Sequence, residues 1–243
     1  MTDRADTRIA NLVKAEQVRV ALYVPQYTKD PATGELSGWI IDLVNALGER
    51  IGVRGVPVEH PNPADALTSV ATASCDIAII GIEATRATRV DFTQPLFEAD
   101  FTLLARAGSP FQSIADADCP GVRVAAVRNH ASTMALTALV KHATLIYADM
   151  PDPAFEILQK GEVDLFASLH EVLRRYIPLL PGSHLLPGRY GFNAIGIAVP
   201  KGEVARLAYL NEFVADAKAS GLFQRLIDRS GWNGVRVAPP AGP

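Results

Sequence analysis

Val18-Arg-Val-Ala-Leu22 and Val122-Arg-Val-Ala-Ala126 are two versions of one short strand, set 104 residues apart (18 to 122). A second match follows. Ala66-Leu-Thr-Ser-Val70 leading to Cys75-Asp-Ile-Ala78 resembles Ala154-Phe-Glu-Ile-Leu158 leading to Val163-Asp-Leu-Phe166, at a spacing of 88 (76 to 164). The Pro/Gly/Asp-rich loop from Pro25 to Gly38 in the first half accounts for the difference. Internal repetition of this kind marks a duplicated supersecondary unit. Each half reads strand, helix, strand, helix, strand.

The periodicities agree. Gln17 to Tyr23 alternates and is β-branched, and Val53 to Glu59 is a further strand. Trp39, Ile40, Leu43, Val44 and Leu47 fall at helical spacing ahead of Gly48 and Gly52. Asn62-Pro63 supplies an N-cap and a first-turn proline. Asp76 to Gly81 is a nearly continuous apolar run, as in a parallel strand covered on both faces. The second half predicts strands Val122–Val127, Leu145–Ala148 and Val163–Ala167, with helices from Ser132 and over Asp152–Lys160. Alternating strands and helices define an α/β fold. A last strand, Asn193 to Val199, and helices Val204–Ser220 and Leu222–Ser230 have no third lobe to build. They are expected to return to the first, giving lobe 1 as 1–105 plus 194–243 and lobe 2 as 106–193.

The composition narrows the function. Lys+Arg 23 against Asp+Glu 26 gives a net charge of -3, and no basic run supplies a nucleic-acid footprint. With 49% hydrophobic residues in 243, a sizeable core forms, yet no apolar stretch reaches membrane-span length. The polar start, Met1 to Arg8, lacks the apolar segment of a secretory signal, which leaves a cytoplasmic location open. Cys75 and Cys119 have neither C-x-x-C spacing nor a nearby His pair, so no metal or cofactor is expected.

The densest chemistry lies where the apolar run ends. Gly81 is followed by Glu83, Thr85 and Arg86, at the carboxyl end of a strand, where open α/β sheets bind ligands. An arginine there offers a planar fork for a carboxylate; its competing fate is a surface pair with Asp91 or Glu98, which Arg89 shares.

The run Thr85-Arg86-Ala-Thr-Arg-Val90-Asp91-Phe92-Thr93-Gln-Pro95 resembles the T-x-x-R-x-x-x-V-D-F-S-x-P-Y signature of the family 3 solute-binding proteins, amino-acid receptors of bacterial ABC importers. Gly38-Trp-Ile-Ile-Asp42-Leu43, Asp116-Ala-Asp-Cys-Pro-Gly-Val-Arg-Val124 and Gly161-Glu-Val-Asp164 resemble other family motifs in the same order. The resemblance spans about Ile9 to Gly231. It implies a two-lobed periplasmic-binding-protein type II fold, each lobe a mixed, mostly parallel sheet flanked by helices, with two hinge strands between them. It also implies non-catalytic capture of a small carboxylate-bearing ligand by hinged closure, an ABC permease as partner, a monomer and a periplasmic location.

The same resemblance makes Arg86 the carboxylate clamp, with Gly81 beside it. It assigns Ser132 and Thr133, opening a helix, to the second-lobe contacts, where helix-start N–H groups favour an anion; for Ser132 a plain N-cap is the simpler role. Tyr23 and Tyr27 stand where the family presents an aromatic ring, and His170 and His130 are further candidates to face the ligand. One position departs from the pattern: Leu169 replaces the aspartate that holds the ligand ammonium. Glu83 is expected to take that role, unless the ligand carries no amine.

The chain also resembles the cyclohexadienyl dehydratases in outline. Met134 stands close to the place of their catalytic glutamate and cannot transfer a proton. Asp76 and Asp164, as repeat-related strand-start residues, read as structural caps. A binding protein is therefore expected, with the lyase and a cytoplasmic small-molecule sensor as the other readings.

Overall fold

In the first half of the chain, β-branched and apolar residues from Gln17 to Tyr23 form the strand around which a sheet is built. A computed structural model describes residues 2–23, 26–128 and 130–240. The chain divides into two compact units, one of Met1–Phe97, Ala194–Trp232 and Arg236–Pro243, the other of Glu98–Asn193 with Asn233–Val235.

In the first unit the strand Gln17–Tyr23 pairs in parallel with Arg54–His60 on one side and with Ile77–Gly81 on the other. The strand Gly191–Pro200 enters this unit at Ala194 and runs antiparallel to Ile77–Gly81 and to Val90–Phe92. The chain passes from Gln17–Tyr23 to the neighbour on one flank, then crosses to the other. That reversal creates a topological switch point between the carboxyl ends of Gln17–Tyr23 and Ile77–Gly81. All five residues of Ile77–Gly81 are buried, as the apolar run requires. Helix Pro63–Ala71 begins with Asn62 accepting the Asp65 N–H, and its Ala66, Leu67 and Val70 pack on Ala21, Ala78 and Ile80. Helix Trp39–Ile51 stacks Trp39 on Trp232 at 4.3 Å and meets Phe97 edge-on. The last helices, Val204–Ala219 and Leu222–Ser230, belong to this unit.

The second unit repeats the plan. The strand Arg123–Val127 pairs in parallel with Thr144–Ala148 and with Leu165–Leu169, and the latter runs antiparallel to Phe97–Ala105. Alternate residues serve two cores. Ala125, Val127 and Phe166 join Phe155, Leu158 and Tyr176, while Val124, Leu165 and Ala167 join Leu136 and Leu103. Helices Ala131–Leu139 and Pro151–Lys160 supply these faces.

The repeat extends to side chains. Asp76 accepts from the Arg19 backbone N–H at 2.7 Å and from its guanidinium at 2.8 and 3.0 Å. Asp164 does the same for Arg123, at 2.8 Å to the backbone and 3.3 Å to the guanidinium. Each aspartate fastens the starts of two parallel strands, at the end of the sheet away from the switch point. Burial raises the Asp164 carboxyl, but the Arg123 bonds outweigh it and hold the group below the usual carboxylate range.

Candidate functional site

At the switch point of the first unit, Tyr23 ends one strand and Gly81 the other. The chain then turns into the short helix Ala84–Ala87, with Glu83 in extended conformation before it. Arg86 reaches back along this turn. Its Nη1 donates to the Gly81 carbonyl at 2.9 Å and its Nη2 lies 3.1 Å from Glu83 Oε1. The Arg86 side chain is 22% exposed and Glu83 38%, so the pair is only partly in water. Tyr23 is close enough to feel both charges. Burial pushes its phenol up, Arg86 opposes the shift and Glu83 adds to it. Thus Tyr23, Gly81, Glu83 and Arg86 form one cluster.

The competing fates of the arginines are settled by their partners. Asp91 binds Lys201 at 2.6 Å, Glu98 binds Arg189 at 2.5 Å, and the exposed Arg89 donates to Thr68 Oγ1 at 3.2 Å. Arg86 alone of the two turns toward the strand end.

Tyr27 goes elsewhere. Its hydroxyl donates to Glu59 at 2.9 Å, a carboxylate that also takes Lys29 at 2.7 Å. Gln26, which the sequence did not single out, does more for the cluster. It accepts the Tyr23 N–H at 3.0 Å and donates to the Ile79 carbonyl at 2.6 Å, joining the two strand ends. Nothing in its sequence neighbourhood distinguishes it from an ordinary loop glutamine.

In the second unit the corresponding strand ends are Val127 and Leu169. His130, not Ser132, holds the N-cap position of helix Ala131–Leu139, so the simple capping role for Ser132 does not apply. Ser132 and Thr133 are 4% and 5% exposed in the first turn. The Thr133 hydroxyl donates to the Val127 carbonyl at 2.6 Å, pinning the helix to the strand end and leaving its oxygen able to accept. Leu169 ends its strand and His170 opens a short helix. His170 is half-buried against Gly234, its Nδ1 without a hydrogen-bond partner among the described residues.

The sequence also missed a buried charge cluster. Glu98 and Asp100 are 7% and 9% exposed, and Arg189 bridges them at 2.5 and 3.2 Å while stacking over Phe192. These residues lie about 90 positions apart, beyond any local signal.

The model of the bacterial extracellular solute-binding proteins, family 3, matches residues 18–233. The chain belongs to that family. It is 23% identical over 211 residues to the ABC transporter glutamine-binding protein GlnH of Bacillus subtilis (strain 168), covering 82% of this chain and 74% of the relative. Among solved structures it is similar to a binding component of an ABC transporter from Wolinella succinogenes complexed with lysine, at TM-score 0.69 and 24% identity over 90% of this chain and 97% of that one. It is also similar to an ancestral amino-acid-binding protein described as a precursor of cyclohexadienyl dehydratase, at TM-score 0.66 and 23% identity, covering 91% and 98%. These likenesses give the type II periplasmic-binding-protein fold.

Proposed function

We propose that this chain is the solute-binding component of an ABC-type importer, acting outside the cytoplasm, and that its solute is an amino acid held as a zwitterion. The observation that carries the reading is the Arg86–Glu83 pair at the switch point. A simple carboxylate landing on Arg86 would leave one negative charge too many in a partly desolvated cluster. A zwitterion, with its carboxylate on Arg86 and its ammonium on Glu83, adds one charge of each sign and keeps the balance. Glu83 thereby serves where Leu169 offers no charge. Tyr23 supplies a neutral wall. Ser132 and Thr133, buried in the first turn of their helix in the second unit, are the further candidates for the carboxylate.

The relatives described above support an amino acid as the class. Met134, 69% exposed and unable to exchange a proton, supports binding over lyase chemistry. A ligand drives closure only through its differential affinity for the closed form. The reading is tested by a thermal-shift and calorimetric screen of amino acids beside their des-amino analogues, with small-angle scattering for the best binder. Saturable stabilisation by amino acids, weaker for the analogues and accompanied by compaction, supports it. Equal affinity for a des-amino acid overturns the zwitterion assignment.

A further inference from the structure

The helix Ala84–Ala87, which carries Arg86, is a single turn. A turn of that length does not hold itself together, because it fixes several dihedrals for few hydrogen bonds. Glu83, at its N-cap, makes no capping bond and pairs with Arg86. Its carboxyl end is tied down. Within the same loop, the Thr88 hydroxyl donates to the Thr85 carbonyl at 2.7 Å and the Arg89 N–H to the Arg86 carbonyl at 2.9 Å. A further tie comes from a distant segment of the same unit: Lys201 Nζ donates to the Ala87 carbonyl at 2.9 Å. Lys201 is itself held. Its ammonium binds Asp91 Oδ1 at 2.6 Å, and Asp91 Oδ2 accepts the Gly202 N–H at 2.8 Å. These two bonds keep the Asp91 carboxyl below the usual carboxylate range. The spacing is set by the sheet, since Val199 lies opposite Asp91 and Pro200 opposite Val90 in antiparallel strands.

We propose that Lys201 is a positioning residue for the Arg86 guanidinium, acting through the helix Ala84–Ala87 and held in place by Asp91. This role presupposes Arg86 as the clamp for the solute carboxylate. Lys201 acts by position and not by charge. Its side chain is 55% exposed and already paired with Asp91, so water and the carboxylate cancel most of its field at Arg86. Its bond to Ala87 does what the loop alone does not: it fastens the carboxyl end of a one-turn helix to the strand Gly191–Pro200 and its turn. Without that bond the turn is anchored only within its own loop. The guanidinium then loses its fixed direction, and a solute must supply the ordering that the fold now supplies.

The test uses two variants of the full chain. Lys201→Met removes the donor and keeps the stem; Asp91→Asn keeps the ammonium and removes the charge that holds it. The first readout needs no solute. The NMR order parameter of the Arg86 Nε–H, assigned by its loss in Arg86→Lys, should fall in both variants, while that of Arg19, held by Asp76 at the far end of the sheet, stays as in the parent. An Arg86 signal as ordered in the variants as in the parent overturns the proposal. The second readout is calorimetry with the amino acid that binds best. Both variants should weaken it about two- to tenfold. A field effect predicts opposite signs, because Asp91→Asn adds positive charge, so tighter binding by that variant also overturns the proposal. Should Asp91→Asn fail to fold, the loss in Lys201→Met is compared at low and high salt, where a positional loss persists and a field effect fades. A parent that binds no amino acid refutes the solute reading alone, and the order of Arg86 still decides the role of Lys201.

Discussion

Arg86 is held from two directions by its own loop, with Nη1 2.9 Å from the Gly81 carbonyl oxygen and Nη2 3.1 Å from Glu83 Oε1. The guanidinium is therefore oriented before any solute arrives, and less conformational entropy is lost on binding. Removing it with Arg86→Ala should weaken amino-acid binding about a hundredfold or more, since charge-assisted bonds contribute roughly 1.5–3 kcal/mol each. Arg86→Lys should recover only part, because an ammonium has no planar fork. Glu83→Gln is the sharper experiment. It should weaken an amino acid about tenfold, a modest figure because Glu83 is partly solvated. It should tighten the matching des-amino acid, which no longer competes with Glu83 for Arg86. Calorimetry on the two ligands reads the crossover, and parallel losses for both would show that Glu83 only positions Arg86.

Ser132 and Thr133 should separate. Thr133→Val removes the donor to a buried Val127 carbonyl and should lower stability by about 1–2 kcal/mol, with solute affinity falling as well. Ser132→Ala should leave the melting temperature nearly unchanged and still reduce affinity. If Ser132→Ala binds as the parent does, the second-unit contact falls to Thr133 and the helix backbone.

The two Arg–Asp pairs show why so much of the fold was legible. Arg19 and Asp76, Arg123 and Asp164 occupy matching places in a duplicated pattern, and the duplication is visible because strands, helices and their spacing are local properties. Strand and helix bounds shifted by a residue or two where caps decide them; the strand expected at Val163–Ala167 runs Leu165–Leu169, because Asp164 is spent on Arg123. Arg86 was legible from its place after the buried run. Its tie to Glu83, three residues back, was accessible for the same reason. Tyr27 was a candidate by position, and its hydroxyl donates to Glu59, a partner its sequence neighbourhood does not reveal. Gln26 with Ile79, and Arg189 with Glu98 and Asp100, join segments far apart in the chain, and only the folded backbone brings them together.

Arg189 should matter to stability. It bridges Glu98 and Asp100, whose side chains are 10% and 12% exposed, and the Glu98 bond raises the guanidinium's own pKa. Breaking a buried ion pair from one side costs about 3–5 kcal/mol, because a charge is left without compensation. Arg189→Ala should approach that loss in urea unfolding at pH 7. The triple change with Glu98→Gln and Asp100→Asn should recover much of it; failure to recover would place the effect in Arg189 packing on Phe192 instead.

His170 gives the chain a pH-dependent term. Burial lowers its pKa from the ordinary 6.5; the Glu171 and Asp100 charges oppose that shift, and Arg174 adds to it. Above pH 6.5 both folded and unfolded chains hold it neutral and its contribution is complete. As the pH falls from 6.5 toward the lower folded value, the unfolded chain takes up the proton first, so stability declines across that window. Denaturant melts of the parent and of His170→Gln between pH 7.5 and 5 should converge in slope only above 6.5. Parallel curves throughout would mean that the folded imidazole titrates as it does in the unfolded chain.

Gly234 explains how that histidine is confined. Its backbone has φ +69, a region that side chains rarely adopt, and a Cβ placed there would run into the ring and Cβ of His170. Its carbonyl also accepts the Asp100 N–H at 2.7 Å, which ties the short return segment Asn233–Val235 to the strand Phe97–Ala105. Gly234→Ala therefore meets two separate penalties, left-handed strain of about 1–2 kcal/mol and the clash. The combination with His170→Ala removes the ring and keeps the Cβ, so it should relieve part of the second and keep the first. The double variant is then more stable than the sum of the single losses predicts, by about 1 kcal/mol or more, as expected of residues in direct contact. A double-mutant cycle in urea measures this coupling. An additive result would mean that the return segment shifts aside to accept the new methyl, and that His170 is not held in place by Gly234.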